Sequence, residues 1–178
     1  LLTAHRRENW GEPMKDIFAA VRQLIESNNN VDVIFPMHKN PLIRSLAKSS
    51  FEGIEDRIHL IEPLEYVDFA NLMAKCYLIM TDSGGIQEEA PALGKPVMVL
   101  RTETERPEAV EAGTVKLVGT DVDIIVNEAS KILNDENEYA KMSRAINPYG
   151  DGKASERIVN AILKYFELSD VEVQEFIR

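Results

Sequence analysis

Several side chains that often carry chemistry are scarce in this chain of 178 residues. It has a single cysteine, Cys76, so no disulfide can form within it. That favours a reducing compartment, and we expect the cytoplasm. Only three histidines are present, and neither a histidine nor an acidic residue follows His38 at the spacing of metal ligands. We therefore expect no metal site and no other cofactor.

Basic charge is also in short supply. Lysine and arginine number 20 against 30 acidic residues, which gives a formal net charge of -10. This balance argues against a broad surface for nucleic acid or for an anionic membrane, although a local basic pocket remains compatible with it. No apolar run approaches ~18 residues, so we expect no transmembrane helix, and we expect no signal peptide. The chain starts at Leu1, inside the first predicted strand, and we expect it to be a domain of a longer protein.

Short apolar runs alternate with amphipathic stretches along the chain. The runs occupy residues 1–5, 31–36, 57–63, 76–83, 96–101 and 114–119. Apolar residues recur at helical spacing between them, most clearly at 17–25, 124–133 and 158–163. The alternation predicts βαβ units and an α/β fold with a doubly wound parallel sheet. We predict one domain over 1–168 and a charged tail over 169–178, with ligands bound beyond the carboxyl ends of the strands.

The stretch "TDSGGIQEEAPALGKP" (81–96) combines a strand end, two glycines and the start of a helix. Gly84 and Gly85 let the backbone approach a ligand closely, and Ser83 adds a hydroxyl. The helix N-terminus presents free N–H groups, so this turn is typical of an anion site. Glu88 and Glu89 point about 100° apart on the helix. A carboxylate accepts hydrogen bonds from hydroxyls, so one of them suits the ribose of a nucleotide whose phosphates lie on the glycines.

Arginines follow two other predicted strands. "TAHRREN" places His5 and Arg6 directly after the first strand, and "LRTETERPEA" places Arg101 and Arg106 after the fifth. Guanidinium groups bind phosphate through two parallel hydrogen bonds. The alternatives are a basic cluster paired with local acids in the first case and a solvated mixed-charge loop in the second. Their position at strand ends favours the functional interpretation, above all for Arg106.

"FPMHKNP" places His38 after the second strand. Asn40 and Pro41 follow as the cap and first residue of a predicted helix. An ordinary loop histidine is an equal alternative to a functional one here.

Taken together, these stretches resemble the C-terminal domain of the non-hydrolysing UDP-N-acetylglucosamine 2-epimerases. The segments "HRREN", "HKNP", "TDSGGIQEEAPALGKPV", "TERPEA", "GTVKLVGT" and "NPYGDGKAS" occur in that order, and the resemblance covers about residues 1–165. It implies a Rossmann-like domain that forms one half of a glycosyltransferase-B type architecture. The implied reaction inverts C2 of the sugar by eliminating UDP to 2-acetamidoglucal and adding it back on the other face.

The resemblance also implies roles for single residues in binding the nucleotide. Ser83, Gly84 and Gly85 would hold the diphosphate. Glu89 would bind the ribose, with Glu88 as the alternative.

Further implied roles concern the base, the chemistry and regulation. Leu64 and Phe69 would line the uracil pocket. His5, as the catalytic residue, and Arg106 would face the diphosphate and the sugar. Arg6 and His38 match positions linked to a second, regulatory UDP-N-acetylglucosamine site, and Arg101 is a further possible ligand.

The resemblance places the presumed acid and base carboxylates in an N-terminal domain that this sequence lacks. We therefore expect this chain to bind UDP-N-acetylglucosamine or UDP, and to need its own N-terminal domain for turnover. The full protein is expected to be a homodimer that makes a precursor of a cell-surface polysaccharide. We expect no nucleic acid and no membrane among its partners. Two alternatives remain. A UDP-sugar glycosyltransferase of the same fold would transfer sugar to an acceptor, and a non-catalytic sugar-nucleotide-binding module would do neither.

Overall fold

The computed structural model describes residues 1–176. The strands are β1 Leu2–Thr3, β2 Val33–Pro36, β3 Ile58–Ile61, β4 Ile79–Thr81, β5 Val97–Val99 and β6 Val115–Leu117. The helices are α1 Glu12–Ser27, α2 Pro41–Ser50, α3 Tyr66–Lys75, α4 Gly84–Ala92, α5 Pro107–Glu111, α6 Val122–Asn134, α7 Glu136–Ser143 and α8 Ala154–Tyr165. A short 3₁₀ helix covers Arg7–Asn9. All six predicted strands are present, and α5 and α7 are additions that the sequence pattern did not predict.

Every strand pairing in the described part of the chain is parallel. One sheet has the order β1-β4-β5-β6, and β2 pairs with β3 in a second, two-stranded sheet. Strand β1 also lies beside β2. The strands thus run in the order β3-β2-β1-β4-β5-β6, which confirms the predicted doubly wound arrangement and places its switch point between β1 and β4.

Two hydrophobic clusters cover the two faces of the sheet. Because side chains alternate along a strand, Met98 of β5 enters one cluster while Val97 and Val99 enter the other. Helices α1, α2 and α6 supply the first cluster, and α3, α4 and α5 supply the second. The strands are short and continuously apolar because both of their faces are covered.

The start of α2 follows the predicted cap. The Asn40 side chain accepts a hydrogen bond of 3.0 Å from the backbone N–H of Leu42, and Pro41 occupies the first helical position. This cap fixes where α2 begins and so defines the end of the short loop that carries His38.

The C-terminal region is the least packed part of the described chain. Ile158, Ile162 and Tyr165 of α8 are exposed, and residues 169–176 form neither helix nor strand. Arg157 nevertheless ties the two segments together, because its Nε donates to the carbonyl of Gln174 at 2.9 Å. Within residues 1–176, no helix combines the length and the apolar character needed to cross a bilayer.

Candidate functional site

The candidate site lies at the switch point of the sheet. Strands β1 and β4 are neighbours, but the helices that follow them, α1 and α4, pack on opposite faces. A crevice opens where two such connections diverge, and ligands of doubly wound folds bind there. His5 follows β1, and Asp82, Ser83 and Gly84 follow β4, so all four lie at this crevice.

Asp82 is the residue on which the loop after β1 is built. Its side chain is fully buried, and its Oδ2 accepts hydrogen bonds of 2.8 Å from the backbone N–H groups of both His5 and Arg6. Asn9 adds a third bond of 3.2 Å to the same oxygen. The second oxygen, Oδ1, has no well-aligned partner among residues 1–176, although the Nδ1 of His5 lies 3.2 Å away.

Two guanidinium groups converge on the N-terminus of α4. A β-carbon added to Gly84 would lie 3.5 Å from one terminal nitrogen of Arg6 and 3.8 Å from one of Arg106. The free N–H groups and the positive dipole end of the helix lie at the same place. Three sources of positive potential therefore surround a glycine that leaves room for a ligand, and such a place favours an anion.

The two glutamates of α4 have different surroundings. Glu88 is half-buried and accepts a hydrogen bond from the Nε of Arg106. Glu89 is exposed and has no ion pair within residues 1–176, and its Oε1 would lie 3.6 Å from a β-carbon placed on Gly85. Glu89 is thus the carboxylate that is open to a ligand hydroxyl near the helix N-terminus, and Glu88 is the partner of an arginine.

A chain of hydrogen bonds fixes the loop that carries Arg106. The backbone N–H of Arg106 donates to the Thr104 hydroxyl at 3.1 Å, and that hydroxyl donates to Gln87 Oε1 at 2.6 Å. The amide of Gln87 in turn donates to the Ser83 carbonyl at 3.2 Å. Since Gln87 is fully buried, the network holds the arginine loop against α4.

Arg101 is already saturated by protein carboxylates. It is buried and pairs with Glu8 after β1 and, through both terminal nitrogens, with Glu105 at 2.7 and 3.1 Å. The hydrogen bonds from Arg101 lower the pKa of Glu105 to about 2. The structure therefore places Arg101 as a brace between two loops of the site, while a direct contact with a ligand stays a prediction.

A cavity of about 230 Å³ opens beside His5. The predicted base-binding residues Leu64 and Phe69 line it, together with His5 and His38. The two imidazole rings stack with their centroids 5.7 Å apart and 13° between their planes. The lining combines apolar side chains with two imidazoles, a mixture that is common in small-molecule sites.

The structure thus brings nearly all of the predicted site residues to one edge of the sheet. Arg6, predicted at a regulatory site, lies beside Gly84 together with Arg106. His38 is exposed at the cavity, where its Nδ1 accepts a bond of 3.1 Å from the backbone of Asn40. The assigned roles stay predictions.

Sequence reasoning missed two residues of this region. Asp82 is the second residue of "TDSGGIQEEAPALGKP", and its position directly after an apolar strand was the only sequence signal of its burial. Tyr149, in "NPYGDGKAS", packs against the second cluster, and its buried hydroxyl has no well-aligned hydrogen-bond partner in the described chain. Burial, together with the carboxylate of Glu108, raises the pKa of Tyr149 to about 12.

No group of three or more His, Cys, Asp or Glu side chains within residues 1–176 is placed to hold a metal ion. The chemistry available here is that of arginines, a helix N-terminus, carboxylates and a histidine at a buried carboxylate. Groups of these kinds are suited to binding an anion and to supplying proton donors and acceptors beside it.

Comparison with known families gives a consistent result. The profile of a family described as UDP-N-acetylglucosamine 2-epimerase matches residues 1–163. A curated UDP-N-acetylglucosamine 2-epimerase of Bacillus subtilis is 58% identical over 166 residues, which is 93% of this chain and 43% of the relative. The chain spans less than half the length of that relative.

Solved structures agree with the sequence matches. A Staphylococcus aureus structure of MnaA with UDP has a TM-score of 0.91 and 54% identity, with 99% of this chain and 48% of that chain covered. A UDP-GlcNAc 2-epimerase from Neisseria meningitidis, bound to UDP-GlcNAc, has a TM-score of 0.85 and 47% identity over 92% of this chain and 44% of its own. Both contain a nucleotide or nucleotide sugar.

Proposed function

This chain belongs to the UDP-N-acetylglucosamine 2-epimerase family, and on that premise we propose that it is the nucleotide-binding half of such an enzyme. The full protein would interconvert UDP-N-acetylglucosamine and UDP-N-acetylmannosamine by eliminating and re-adding UDP. The observation that carries the proposal is the convergence of Arg6, Arg106 and the N-terminus of α4 on Gly84.

The diphosphate would lie at Gly84. Its charge of about −2 to −3 would meet two guanidinium groups and the free N–H groups of the first turn of α4. Ser83 is the residue directly before α4, and it adds a hydroxyl. The chain as a whole has a net charge of -10, which repels an anion, so the attraction for a diphosphate would come from this local group of positive charges.

The ribose and the uracil of the nucleoside would contact two different parts of the site. The exposed carboxylate of Glu89 is available to accept hydrogen bonds from the two ribose hydroxyls. The uracil would enter the cavity lined by Leu64 and Phe69, which lies on the side of His5. Such a site uses the ribose and base for binding and leaves the sugar to face the missing half.

Elimination of UDP breaks the C1–O bond and removes the proton from C2, so negative charge develops on the leaving phosphate. Arg106 and His5, at the crevice, would stabilise that charge more in the transition state than in the bound substrate. The groups that remove and return the C2 proton would come from the N-terminal half. The groups that bind the diphosphate would keep UDP in the site until the glucal presents its other face.

The proposed partners follow from this division. The chain would need its N-terminal domain for turnover, and the full protein would act as a homodimer on nucleotide sugars that feed surface polysaccharide synthesis. The lone Cys76 is consistent with a reducing cytoplasm.

Calorimetry with UDP tests the binding half of the proposal. We expect this chain to bind UDP at one site and to bind ADP much more weakly, since the purine is larger than the uracil for which the cavity is proposed. A chain that is folded by circular dichroism but gives no heat with UDP would contradict the nucleotide assignment.

Deuterium exchange tests the division of labour. In deuterated solvent, this chain alone should leave the C2 hydrogen of UDP-N-acetylglucosamine in place, and the full protein should exchange it. Exchange by the chain alone would show that the acid and base groups lie among the residues described above.

A further inference from the structure

We propose that Asp82 is a positioning residue that fixes the tautomer of His5, so that the neutral imidazole carries its proton on Nδ1 and leaves Nε2 as the nitrogen available to a ligand. The proposal concerns the structural pairing of these two side chains. Its catalytic consequence, but not the pairing itself, rests on the proposed function.

The carboxylate of Asp82 is buried inside the protein. Its side chain is fully buried at the carboxyl end of β4, and its carboxylate lies 3.2 Å from the Nδ1 of His5, whose side chain is 40% exposed. A buried carboxylate needs hydrogen bonds or an opposite charge to remain ionised. Here the polar partners come from one short segment, which includes His5, Arg6 and Asn9.

The polar partners of Asp82 are divided unequally between its two carboxylate oxygens. Oδ2 accepts three bonds, two of 2.8 Å from backbone N–H groups and one of 3.2 Å from Asn9. Oδ1 has no well-aligned donor in the described chain, and the Nδ1 of His5 lies 3.2 Å from it. A small rotation of the ring would give Oδ1 the donor that it lacks, provided that Nδ1 carries a proton.

The backbone makes this pairing hard to avoid. Because the N–H groups of His5 and Arg6 already bind Oδ2, both the carboxylate and the Cα of His5 are fixed relative to each other. The indole N–H of Trp10 adds a bond of 3.3 Å to the His5 carbonyl. With its backbone held at two points, His5 can reach Oδ1 only through Nδ1, which is the ring nitrogen nearer to its own main chain.

The neutral tautomer of a histidine is decided by the hydrogen bond that one ring nitrogen makes. An acceptor that has no proton of its own, such as Oδ1 of an ionised carboxylate, requires N–H at Nδ1. Nε2 then has a lone pair, and a second proton placed there gives an imidazolium that faces a ligand while Asp82 balances its charge. In the proposed reaction, that second proton would be the one donated to the leaving phosphate.

The variant Asp82→Asn reverses the pattern while it keeps the shape. The three donors to Oδ2 force the amide oxygen into the position of Oδ2, so the amide NH₂ must replace Oδ1. His5 Nδ1 then faces a donor and must become an acceptor, which moves the neutral proton to Nε2. The variant should therefore exchange the tautomer and not merely loosen the ring.

Nitrogen-15 NMR of the imidazoles in this chain, at a pH high enough for neutral rings, measures the tautomer directly. The chain has three histidines, so a His5→Gln variant assigns the His5 signals. We expect a protonated Nδ1 and an unprotonated Nε2 for His5 in the wild type, and the reverse in Asp82→Asn. Asn9→Ala, which removes a bond to Oδ2 only, should leave the tautomer of His5 unchanged.

A wild-type His5 protonated at Nε2, or a tautomer that Asp82→Asn leaves unchanged, would overturn the proposal. If Asp82→Asn does not fold, the wild-type spectrum decides the question, because an imidazole without such an acceptor favours the proton on Nε2. In the full protein, Asp82→Asn should lower kcat by roughly 10²-fold with a change in KM of less than about threefold. If wild-type chain fails to bind UDP, the proposed function fails while the tautomer result stands.

Discussion

Glu88 accepts a hydrogen bond from the Nε of Arg106, so the arginine lies alongside the first turn of α4 before any ligand is bound. The ion pair uses the inner nitrogen of the guanidinium. A terminal nitrogen of the same group lies near the Cβ position of Gly84 and faces the proposed phosphate. The pairing with Glu88 raises the pKa of Arg106 and orients the side chain without occupying its outer edge.

Gly84→Val should weaken UDP binding at least tenfold, by an amount on the order of 1.4 kcal/mol or more. The β-carbon itself fits, since its closest neighbours would be arginine tips at 3.5 and 3.8 Å, but the two γ-methyl groups would fill the space between those tips. Calorimetry with UDP measures the effect. Ala92→Val, at the exposed end of the same helix, is the matched control and should bind normally. Equal affinities for Gly84→Val and wild type would show that the diphosphate lies elsewhere.

Glu89→Gln should weaken UDP binding much more than Glu88→Gln does. A hydrogen bond to a charged group contributes about 1.5–3 kcal/mol, so losing the carboxylate that binds the ribose should cost at least tenfold in affinity. Glu88 is paired with Arg106, and a glutamine at this position can still accept the hydrogen bond from Nε, so the arginine keeps its place beside the phosphate. The comparison of UDP with 2′-deoxy-UDP in each variant identifies the ribose ligand. If the two variants show the opposite order, Glu88 is the ribose ligand.

His5→Ala, made in the full two-domain protein, should lower turnover by about two orders of magnitude, with a smaller change in UDP affinity. A donor beside the leaving phosphate acts mainly on the transition state. His38→Ala should instead change how the rate depends on the concentration of UDP-N-acetylglucosamine, as expected for a regulatory position. Steady-state kinetics of both variants separates the two roles, and a His5→Ala enzyme with normal kcat would remove His5 from the chemistry.

Glu105→Gln should make the protein less stable at neutral pH and flatten its response to acid. The pKa of Glu105 is lowered to about 2 by its hydrogen bonds with Arg101. A group with a depressed pKa stabilises the fold above its unfolded value of about 4.3 and loses that effect as the pH falls toward 2. Thermal unfolding between pH 7 and 2 should therefore show the two proteins converging in acid. Glu103→Gln, an exposed neighbour without an ion pair in the described chain, should unfold like wild type throughout.

Tyr149→Phe should leave the free chain as stable as wild type or slightly more stable. The hydroxyl is buried beside the Glu108 carboxylate but makes no well-aligned hydrogen bond among the described residues, so its removal gives up little and relieves a desolvation cost. Burial and Glu108 raise the pKa of Tyr149 to about 12, so the wild type should lose stability as the pH rises from 10 toward 12. The variant should lack that loss. Urea unfolding at pH 7 and in alkali checks both points, and a marked loss of stability at pH 7 would reveal a partner for the hydroxyl.

The fold followed from the sequence wherever one element could be recognised by its own pattern. The apolar stripe of α1 and the short buried run of β5 are visible without knowledge of any neighbour. Helix α7 was missed because it has no fully buried residue, and only Tyr139 and Met142 pack against the core. Its helical pattern is therefore weak.

The site was predicted less completely because its contacts join distant parts of the chain. The strand-end positions of His5 and Arg106 indicated a shared edge of the sheet. The partners of Arg101 did not follow from any local pattern, since Glu8 lies 93 positions away. Likewise, the buried carboxylate of Asp82 is bound by backbone groups of the loop after β1, far away in the sequence.

The bonds from the main chain of His5 and Arg6 to Asp82 join positions separated by 77 and 76 residues. Parallel strands so far apart in sequence pair slowly, because a long loop must close before any contact stabilises it. The pocket can thus exist only after β1 has paired with β4. A nucleotide would therefore stabilise only the molecules that have completed that pairing.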